Sequence, residues 1–390
     1  MKAYLVKTSM MVTLLGLNMG MVSPVSAQNN DEAENYNFVF KGNSEGYKNY
    51  RIPAIVKTKK NTLIAFIEGR VNGIGDAGNI DLVAKRSTDG GKTWGPMITV
   101  HDDGNHTCGN PAPVVDPRNG YIYMISCGST GSEHENLHNI KPREVYFQVS
   151  KDDGLTWSKP VDISKQAKKP EWGWFATGPC NAIIVREGKY KGRIVVPSNM
   201  SEMVEVEQNG EMVKKPVYRG SCFYSDDLGK TWKIGDTADD GANESSIAEV
   251  KPNLLVQNFR MQDHGQARRW QRYSEDGGQT WTKIEKQDDL YCPRCQGSII
   301  RDYKQKETLY FSNPAKWGRN NMTIYRSKDG GKTWNDSILV HEGPASYSNI
   351  VDCSPEYIGI LYEGGKNHAS AEGTIFKLVK KADFKPVEKK

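Results

Sequence analysis

Hydrophobic and polar positions alternate along this chain in short runs that are typical of β-strands. In the first repeated unit, these runs occupy residues 51–57, 62–69 and 80–87, and a fourth follows at 98–101. The runs are rich in β-branched residues and are bounded by Gly, Pro, Asn or Lys, which favours strands joined by turns. Four short strands per unit are typical of a β-propeller blade, and almost no long helix is predicted.

The same three runs recur in four more units. They occupy 109–116, 122–128 and 143–150; 181–187, 193–198 and 218–225; 245–251, 254–260 and 268–274; and 297–302, 308–313 and 322–327. A sixth set, at 347–352, 357–363 and 374–380, is one strand short. We expect residues 37–40 to add that strand and close the ring, which leaves few free sheet edges. The pattern therefore predicts an all-β fold: a six-bladed β-propeller of four-stranded antiparallel blades, closed by an N-terminal strand.

Five of the units contain a Ser-x-Asp-x-Gly-x-Thr-Trp motif, here called a box. Each box begins at the last residue of the third run and continues beyond it. The boxes span 87–94, 150–157, 225–232, 274–281 and 327–334, and they contain five of the nine tryptophans. Asp and Ser side chains bond local backbone amides in such turns, Gly permits positive φ, and Trp packs beneath. We interpret the boxes as parts of the scaffold.

The first 27 residues differ from the rest in composition. Lys2 and Lys7 precede an apolar stretch at 10–22 and small residues up to Ala27, which predicts a secretory signal peptide at 1–27, cleaved near Ala27. Residues 28–390 are then expected to form a single propeller domain. No later apolar run approaches the roughly 20 residues that cross a bilayer. We therefore expect a secreted protein, periplasmic or extracellular, with no transmembrane segment.

Charge and cysteine content narrow the classes of partner and cofactor. The formal net charge is only +5 at pH 7, with both signs spread along the chain, so nucleic acid is not expected as a partner. The seven cysteines are an odd number, and a chain of this length needs no disulfide framework. Cys292 and Cys295 form a lone C-x-x-C pair, which favours a disulfide or two small buried residues over a metal site. A monomer is expected.

Several polar side chains fall on the face of the predicted blades that lies opposite the boxes. In an up-and-down blade, the start of the first strand, the end of the second and the start of the third share one face. The box follows the third strand and marks the other face. Residues on the shared face are Arg51, Arg70, Asp76, Glu244, Arg260, Arg319, Tyr347 and Glu363. We expect these side chains, which come from different blades, to converge on one site.

Four motifs in these positions, together with the boxes, resemble those of the bacterial and animal exo-sialidases (neuraminidases), of the glycoside hydrolase family 33 type. The motifs are Tyr50-Arg51-Ile52-Pro53, Asn243-Glu244-Ser245, Gly318-Arg319-Asn320-Asn321 and Ser346-Tyr347-Ser348. The resemblance covers nearly all of the chain after the signal peptide. It implies a six-bladed propeller, in agreement with the strand count, and an exo-α-sialidase that hydrolyses terminal sialic acid from sialylated glycans.

The resemblance also implies that Arg51, Arg260 and Arg319 form an arginine triad around the substrate carboxylate. Sialic acid carries this carboxylate on its anomeric carbon. Each guanidinium offers a planar fork of donors that matches the two oxygens of a carboxylate. Three such side chains from separate blades therefore make a physically sensible anion site.

By the same resemblance, Tyr347 is the nucleophile, Glu244 its base and Asp76 the acid/base catalyst. A carboxylate nucleophile would be repelled by the carboxylate of the substrate, whereas a neutral phenol is not, and sialidases use Tyr in this role. A phenol with a pKa near 10 needs a base to accept its proton as it attacks. Two inversions then predict retention through a tyrosyl intermediate, without a metal or cofactor.

Four further residues are implied as substrate contacts or their supports. Arg70 resembles an additional arginine near the substrate, and Glu363 resembles the acid that orients the first arginine of the triad. Trp174 lies in a stretch, 172–179, that resembles the lining of the sugar pocket. Asn110 occupies a position where relatives often have Asp.

Two other functions fit the same motifs. A non-catalytic sialoglycan-binding propeller would keep the arginines but lack the nucleophile or the acid, and this sequence has both. A trans-sialidase, intramolecular or intermolecular, uses the same residues but passes the sugar to an acceptor other than water. The released product, rather than the sequence, distinguishes this reaction from hydrolysis.

Overall fold

The alternating runs of the sequence fold as antiparallel strands. The computed structural model describes residues 36–239, 241–262 and 267–387, and the predicted signal peptide at 1–27 lies outside them. The three α-helices within this part of the chain are short: α1 (Glu133–Leu137), α2 (Ser164–Ala167) and α3 (Ala369–Glu372). The all-β class predicted from the sequence is therefore confirmed.

The strands are numbered in chain order. The first nine are β1 (Phe38–Lys41), β2 (Asn49–Lys57), β3 (Leu63–Arg70), β4 (Ile80–Ser87), β5 (Ile98–His101), β6 (Thr107–Val115), β7 (Ile122–Ser129), β8 (Glu144–Ser150) and β9 (Val161–Asp162). The next nine are β10 (Trp172–Thr177), β11 (Ile183–Ile184), β12 (Ile194–Gln208), β13 (Glu211–Ser225), β14 (Lys233–Ile234), β15 (Ala242–Lys251), β16 (Leu254–Met261), β17 (Arg268–Ser274) and β18 (Glu285–Tyr291). The last seven are β19 (Ser298–Arg301), β20 (Leu309–Lys316), β21 (Asn320–Ser327), β22 (Asp336–Asp352), β23 (Tyr357–Gly364), β24 (Gly373–Lys380) and β25 (Lys385–Pro386).

These strands form four hydrogen-bonded sheets. One sheet joins β2–β5 to β6–β9 through a single parallel bridge between Ile80 and Thr107. The second contains β10–β14 and the third β15–β18. The fourth continues from β19 to β24 and β1, because β22 pairs with β21 through its first half and with β23 through its second. The N-terminal strand β1 pairs antiparallel with β24, where the sequence predicted a missing strand.

The third unit differs from its prediction. Its expected first strand, 181–187, is reduced to the two residues of β11, and the stretch 172–177, expected as pocket lining, is strand β10. Both strands pair with β12. The hairpin of β12 and β13 also extends to Gln208 and Glu211, well beyond the predicted runs. Charged residues alternate with valine and methionine in this extension, so it shows no continuous apolar run that would predict a strand.

The five boxes adopt the same hydrogen-bonded turn. In the first, the Ser87 hydroxyl donates to Asp89 and accepts from the amide of Gly91, while Asp89 accepts from the amide and hydroxyl of Thr93. The same bonds recur in the other four boxes. Gly91 has a φ of +91°, a conformation that favours glycine. Each box thus pairs its Ser, Asp and Thr side chains within eight residues.

Register breaks recur near the start of the first strand in four units, at the end opposite the boxes. The breaks fall between residues 51 and 54, 109 and 112, 242 and 245, and 345 and 348. Pro53 and Pro111 lie within two of them, because a residue without an N–H is tolerated at a bulge. Bulges re-aim the side chains that they contain. Here they contain Asn110, Glu244 and Tyr347.

The first strands of successive units pack against one another. Strand β2 contacts β6 and β22, β6 contacts β10 and β11, β15 contacts β11, β12 and β19, and β19 contacts β22. A cavity of about 320 Å³ lies between them and is lined by residues of β2, β6, β11, β15, β19 and β22. The apolar core lies between neighbouring sheets, in clusters that include Ile125 with Phe223 and Leu309 with Trp334.

Two further expectations concern the cysteines and membrane insertion. All seven cysteines are unpaired, and Cys292 and Cys295 are buried thiols rather than a disulfide. In the described ranges, no helix has the length and apolar character needed to span a bilayer.

Candidate active site

Tyr347 and Glu244 form the centre of the candidate site. The Tyr347 hydroxyl donates to Glu244 Oε1 at 2.5 Å, although the two residues are 103 positions apart. Both side chains are almost fully buried. Burial, and then the negative charge of Glu244, raise the pKa of Tyr347 well above its usual value. The phenol is therefore neutral at physiological pH, with an acceptor for its proton already in contact.

Arg260 ties this pair to a third strand. At the end of β16, its Nη1 donates to Glu244 Oε2 at 2.6 Å and to the Tyr347 hydroxyl at 3.1 Å. Its Nη2 donates to Gln262 at 2.8 Å. Burial alone would lower the pKa of Arg260, but Glu244 outweighs this effect and raises it. The guanidinium therefore stays charged beside the phenol.

Arg51 is fixed from the opposite end of the chain by Glu363. Its Nε and Nη2 each donate to one carboxylate oxygen of Glu363 at 3.3 Å, and Glu363 also accepts from the amide of Ile52 at 2.9 Å. Ile52 has a φ of +64°, a strained conformation for a β-branched residue. The Arg51 guanidinium lies 5.0 Å from the centre of the Tyr347 ring. The proposed orienting acid therefore contacts its arginine.

Arg319 completes the predicted triad around Tyr347. Its guanidinium lies 5.5 Å from the centre of the tyrosine ring. The side chain donates to the Ser346 hydroxyl at 3.1 Å and to the carbonyl of Arg294 at 2.8 Å. The structure thus brings all three predicted arginines to one tyrosine, and they concentrate positive charge there. Such a cluster is suited to a carboxylate ligand.

Asp76 lies beside two arginines and is half exposed. Its Oδ1 is 2.7 Å from Arg70 Nη1 and 3.9 Å from Arg51 Nη1. Burial favours a higher pKa for Asp76, but Arg70 and Arg51 overcome this and hold the pKa below its usual value. Arg70 is buried and is held in turn by Glu68, to which its Nε donates at 3.0 Å. The carboxylate is therefore ionised at neutral pH before any substrate is bound.

Asn110 and Trp174 lie on the neighbouring units. The backbone amide of Asn110 donates to Glu68 at 2.8 Å, and its φ is +51°. The Trp174 indole donates to Asn199 at 3.2 Å, and its ring is stacked by the guanidinium of Arg143, 4.6 Å from the ring centre. Neither predicted residue contacts the arginine triad directly.

Two residues near the site were missed by sequence reasoning. Glu68 links Arg70 to the backbone of Asn110, and a Cβ at Gly109 would lie 2.2 Å from its carboxylate oxygen. Glu68 lies in β3 two residues before Arg70, so both side chains point to the same side of the strand. This spacing could have predicted the contact. Arg143 is a buried cation directly before β8, where the third strand of a unit begins on the same face. That position was the available signal for Arg143.

Comparisons with known proteins agree with this geometry. The sequence model of the BNR repeat-like domain family matches residues 48–360. A sialidase of Bacteroides fragilis is 31% identical over 84% of this chain and 62% of its own length, and a sialidase of Micromonospora viridifaciens is 30% identical over 82% and 50%. The chain thus spans between half and two thirds of these curated relatives.

A solved structure resembles this chain with a sequence identity close to that of the two curated relatives. The Hadza microbial sialidase Hz136 is 30% identical, with a TM-score of 0.74 over 86% of this chain and 66% of that one. Together with the family match over most of the chain, this likeness agrees with the boxes and with the residues gathered around Tyr347. The chain belongs to the BNR-repeat family of bacterial sialidases.

Proposed function

We propose that this protein is an exo-α-sialidase that hydrolyses terminal sialic acid from glycans. The observation that carries the proposal is the hydrogen bond of 2.5 Å from Tyr347 to Glu244 within a ring of three arginines. The names of the relatives support the reaction class. The substrate is a sialylated glycan, and its terminal sugar enters the site from the face opposite the boxes.

Arg51, Arg260 and Arg319 bind the carboxylate of the sugar in this proposal. Each guanidinium has an anchoring partner that fixes its orientation before the substrate arrives, so little ordering is needed on binding. A carboxylate held by the three places the anomeric carbon over Tyr347. Charge-assisted bonds of this kind are about twice as strong as neutral ones.

Tyr347 then attacks the anomeric carbon while Glu244 accepts its proton. Proton removal is concerted with attack because the raised pKa of Tyr347 makes the free phenolate scarce. The Tyr347 oxygen forms a bond to the anomeric carbon as the glycosidic bond breaks. Arg260 stays against both groups and stabilises the negative charge as it passes from Glu244 to the Tyr347 oxygen. The product of this step is a tyrosyl-enzyme intermediate.

Asp76 donates a proton to the departing glycosidic oxygen and later accepts one from the water that opens the intermediate. The pKa of Asp76 is low in the free protein because of Arg70 and Arg51, against the effect of burial. A substrate carboxylate on Arg51 offsets part of that arginine's charge, which raises the pKa of Asp76 when an acid is needed. Two inversions at the anomeric carbon give retention.

A fluorogenic sialoside assay tests the proposal. We expect the wild-type protein to release the sugar and Tyr347→Phe to lose about 10³-fold or more in kcat, because the bond-forming oxygen is gone. Tyr310→Phe is the matched control, since its buried hydroxyl bonds Asp302 in a neighbouring unit. NMR of the first product should show the α-anomer of the free sugar. An anhydro sugar or a new sialoside would instead indicate transfer.

We propose further that the sheets form six blades in a closed ring. The sequential contacts of the first strands, the return contact of β22 with β2, and the pairing of β1 with β24 support this arrangement. The cavity lined by residues of all six first strands is the axial channel of such a ring. An experimental structure without contact between β22 and β2 would contradict closure.

We also propose that residues 28–390 are exported as a single-domain monomer after removal of residues 1–27. The basic and apolar segments before Ala27 support export. Intact-mass measurement of protein recovered from outside the cytoplasm should place the new N-terminus near Gln28. Light scattering should give the mass of one chain.

A further inference from the structure

The cavity of about 320 Å³ between the first strands, here called the axial cavity, lies toward the strand ends that are remote from Tyr347. Its lining includes Lys57, Arg301 and Asp352, which are the last residues of β2, β19 and β22. Tyr347 and Asp352 are five positions apart on β22, a separation of about 17 Å along a strand. The charged end of the cavity is therefore distant from the candidate active site.

A layer of hydrogen-bonded side chains closes the axial cavity on the side of the active site. Asn349 Nδ2 donates to the Ser298 hydroxyl at 2.8 Å, and Asn349 Oδ1 accepts from the amide of Ile55 at 2.6 Å. The Ser246 hydroxyl accepts from the amide of Ile299 at 3.1 Å. Asn349, Ser298 and Ser246 are at most 1% exposed. The axial cavity is therefore a space of its own.

The walls of the axial cavity are largely apolar, and its outer end, here called the mouth, is charged. Wall residues from six first strands are Val56, Val114, Ile184, Ile247, Ile300 and Val351. The charged residues of the mouth are Lys57, Arg186, Glu249, Arg301 and Asp352. Small-molecule sites are typically apolar spaces of roughly 300–1,000 Å³ with a few polar groups that orient the ligand. The axial cavity has this form and lies at the lower end of this range.

Three of the charged groups at the mouth are already paired within the chain. Glu249 accepts from two backbone amides of the turn after β11, each at 3.0 Å, and from the Tyr303 hydroxyl at 3.3 Å. Asp352 lies 2.9 Å from Lys381 Nζ. Lys57 donates to a backbone carbonyl. Both carboxylates therefore have partners before any ligand binds.

The two arginines at the mouth still have free donors. The side chain of Arg301 is 9% exposed, and its Nη1 lies 2.9 Å from Glu187 Oε2, but its Nε is enclosed without a hydrogen-bond partner. The exposed guanidinium of Arg186 donates no hydrogen bond to any described residue and stacks on Tyr303, 4.1 Å from the ring centre. Arg301 lies 4.8 Å from the centre of the same ring. One tyrosine thus holds two guanidiniums, and stacking leaves in-plane donors available.

The free charge at the mouth is therefore positive, which selects an anionic ligand. A carboxylate has two coplanar oxygens that match the donors of a guanidinium. A small inorganic anion would leave the apolar walls against water, whereas an apolar body would cover them. The ligand that fits both parts of the axial cavity joins a carboxylate to an apolar body.

We propose that the axial cavity is a second ligand site, which binds a small carboxylic acid with a branched or aromatic body. Arg186 and Arg301 hold the carboxylate, and the body fills the space between the first strands. Binding is reversible and involves no covalent step. The site does not rest on the proposed function, because neither Tyr347 nor any arginine of the triad lines it.

Calorimetry with three small ligands tests the proposal on the wild-type protein. We expect 3-phenylpropanoate to bind with one site per chain. Its amide has the same body without the charge and should bind about 10- to 100-fold more weakly, the range for a hydrogen bond to a charged group. Acetate has the charge without the body and should bind more weakly still. Absence of binding by the acid, or an equal Kd for any two of the three ligands, would overturn the proposal.

Substitutions at the mouth locate the binding. Arg186→Met should raise the Kd of the acid about 10- to 100-fold and leave that of the amide unchanged. Because Arg186 is exposed, this variant should fold. Arg186→Lys keeps the charge without the planar fork and should restore part of the affinity. Arg118→Met is the matched control, since it removes a half-exposed guanidinium that follows β6 outside the cavity, and it should change neither Kd.

Thermal melting distinguishes the axial cavity from the arginine triad, which also attracts carboxylates. A ligand that binds only the folded protein raises its Tm. The acid should therefore raise the Tm of the wild type and of Arg319→Met, and raise that of Arg186→Met much less. The reverse order for the two variants would place the acid at the candidate active site and contradict the proposal. This comparison needs no turnover, so its result is independent of whether the protein hydrolyses sialosides.

Discussion

The end of the strands that carries the boxes, here the box face, and the opposite end around Tyr347, here the site face, satisfy polar side chains in different ways. In a box, Asp329 accepts from the Ser327 and Thr333 hydroxyls, so all partners lie within four residues. At the site, Arg51 pairs with Glu363 across 312 positions. Local bonds form wherever the motif occurs, and the motif therefore repeats. The long-range pairs need the whole fold, and each occurs once.

The difference extends to what is left unsatisfied. The box carboxylates accept from the Ser and Thr of their own turn. The site keeps a phenol on a carboxylate, three clustered guanidiniums and Arg143, whose Nε has no hydrogen-bond partner among the described residues. The box face thus stabilises the fold. The site face holds like charges close together, which costs stability but provides groups that can bind and react. The following predictions test this division, from the largest expected effect to the smallest.

Glu244→Gln should cause the largest loss of activity with little loss of stability. Removing the proton acceptor of Tyr347 should lower kcat about 10²- to 10⁴-fold, the range for general base catalysis, while the Tm changes little. Glu249→Gln is the matched control, since Glu249 is buried at the other end of the same strand. It should lower the Tm but leave kcat intact. Steady-state kinetics and thermal melting measure both quantities, and equal kcat values for the two variants would contradict the division.

Trp334→Ala should have the reverse effect. The ring is 1% exposed and packs edge-on against Phe311, with centroids 5.8 Å apart. Its loss should cost about 3–5 kcal/mol of unfolding free energy. At temperatures well below the Tm, kcat should be unchanged. Denaturant unfolding and a sialoside assay on the same preparation check this, and a loss of kcat without a loss of stability would show that the boxes take part in catalysis.

The pH profile should report the low pKa of Asp76. Because Arg70 and Arg51 lower this pKa against burial, the acid form is the minor one at neutral pH. For a substrate with a poor leaving group, kcat/KM should rise as the pH falls from 7 to 5, by up to about tenfold per unit. Asp76→Asn should remove this rise. Its kcat/KM should fall least on activated aryl sialosides, because their leaving group departs without a proton from the acid. A flat wild-type profile on sialyllactose would exclude Asp76 as the acid.

Asp329→Ala should have the smallest effect. It removes bonds to the Ser327 hydroxyl and to the amide and hydroxyl of Thr333, all near the surface. The expected loss is about 1–2 kcal/mol of unfolding free energy, with no change in kcat or KM. Denaturant titration measures the loss. A larger loss than that of Trp334→Ala would show that hydrogen bonding contributes more than packing to the stability of the box.

Much of the fold could be predicted from local pattern. The first unit has strands at 49–57, 63–70, 80–87 and 98–101, within two residues of the prediction. The third unit was less predictable because β10 and the long hairpin of β12 and β13 depend on pairing rather than on apolar alternation. Pro53 and Pro111 were available signals for the bulges near the site, but a proline alone does not specify which side chain a bulge re-aims.

The candidate site divides in the same way. Motif resemblance supplied Tyr347 and the triad, and the structure placed them together. Arg143 belonged to no motif, and its unpaired state is visible only once burial and partners are known. Spacing along the chain contains no information on whether a buried donor finds an acceptor.

The Ser, Asp and Thr turns of the five boxes needed only the sequence, because their bonds join residues a few positions apart. The site needed the tertiary structure, because Tyr347 meets Glu244, and Arg51 meets Glu363, only when distant units pack side by side. Short-range hydrogen bonds are determined by neighbours along the chain. Burial and charge pairing depend on every strand around them.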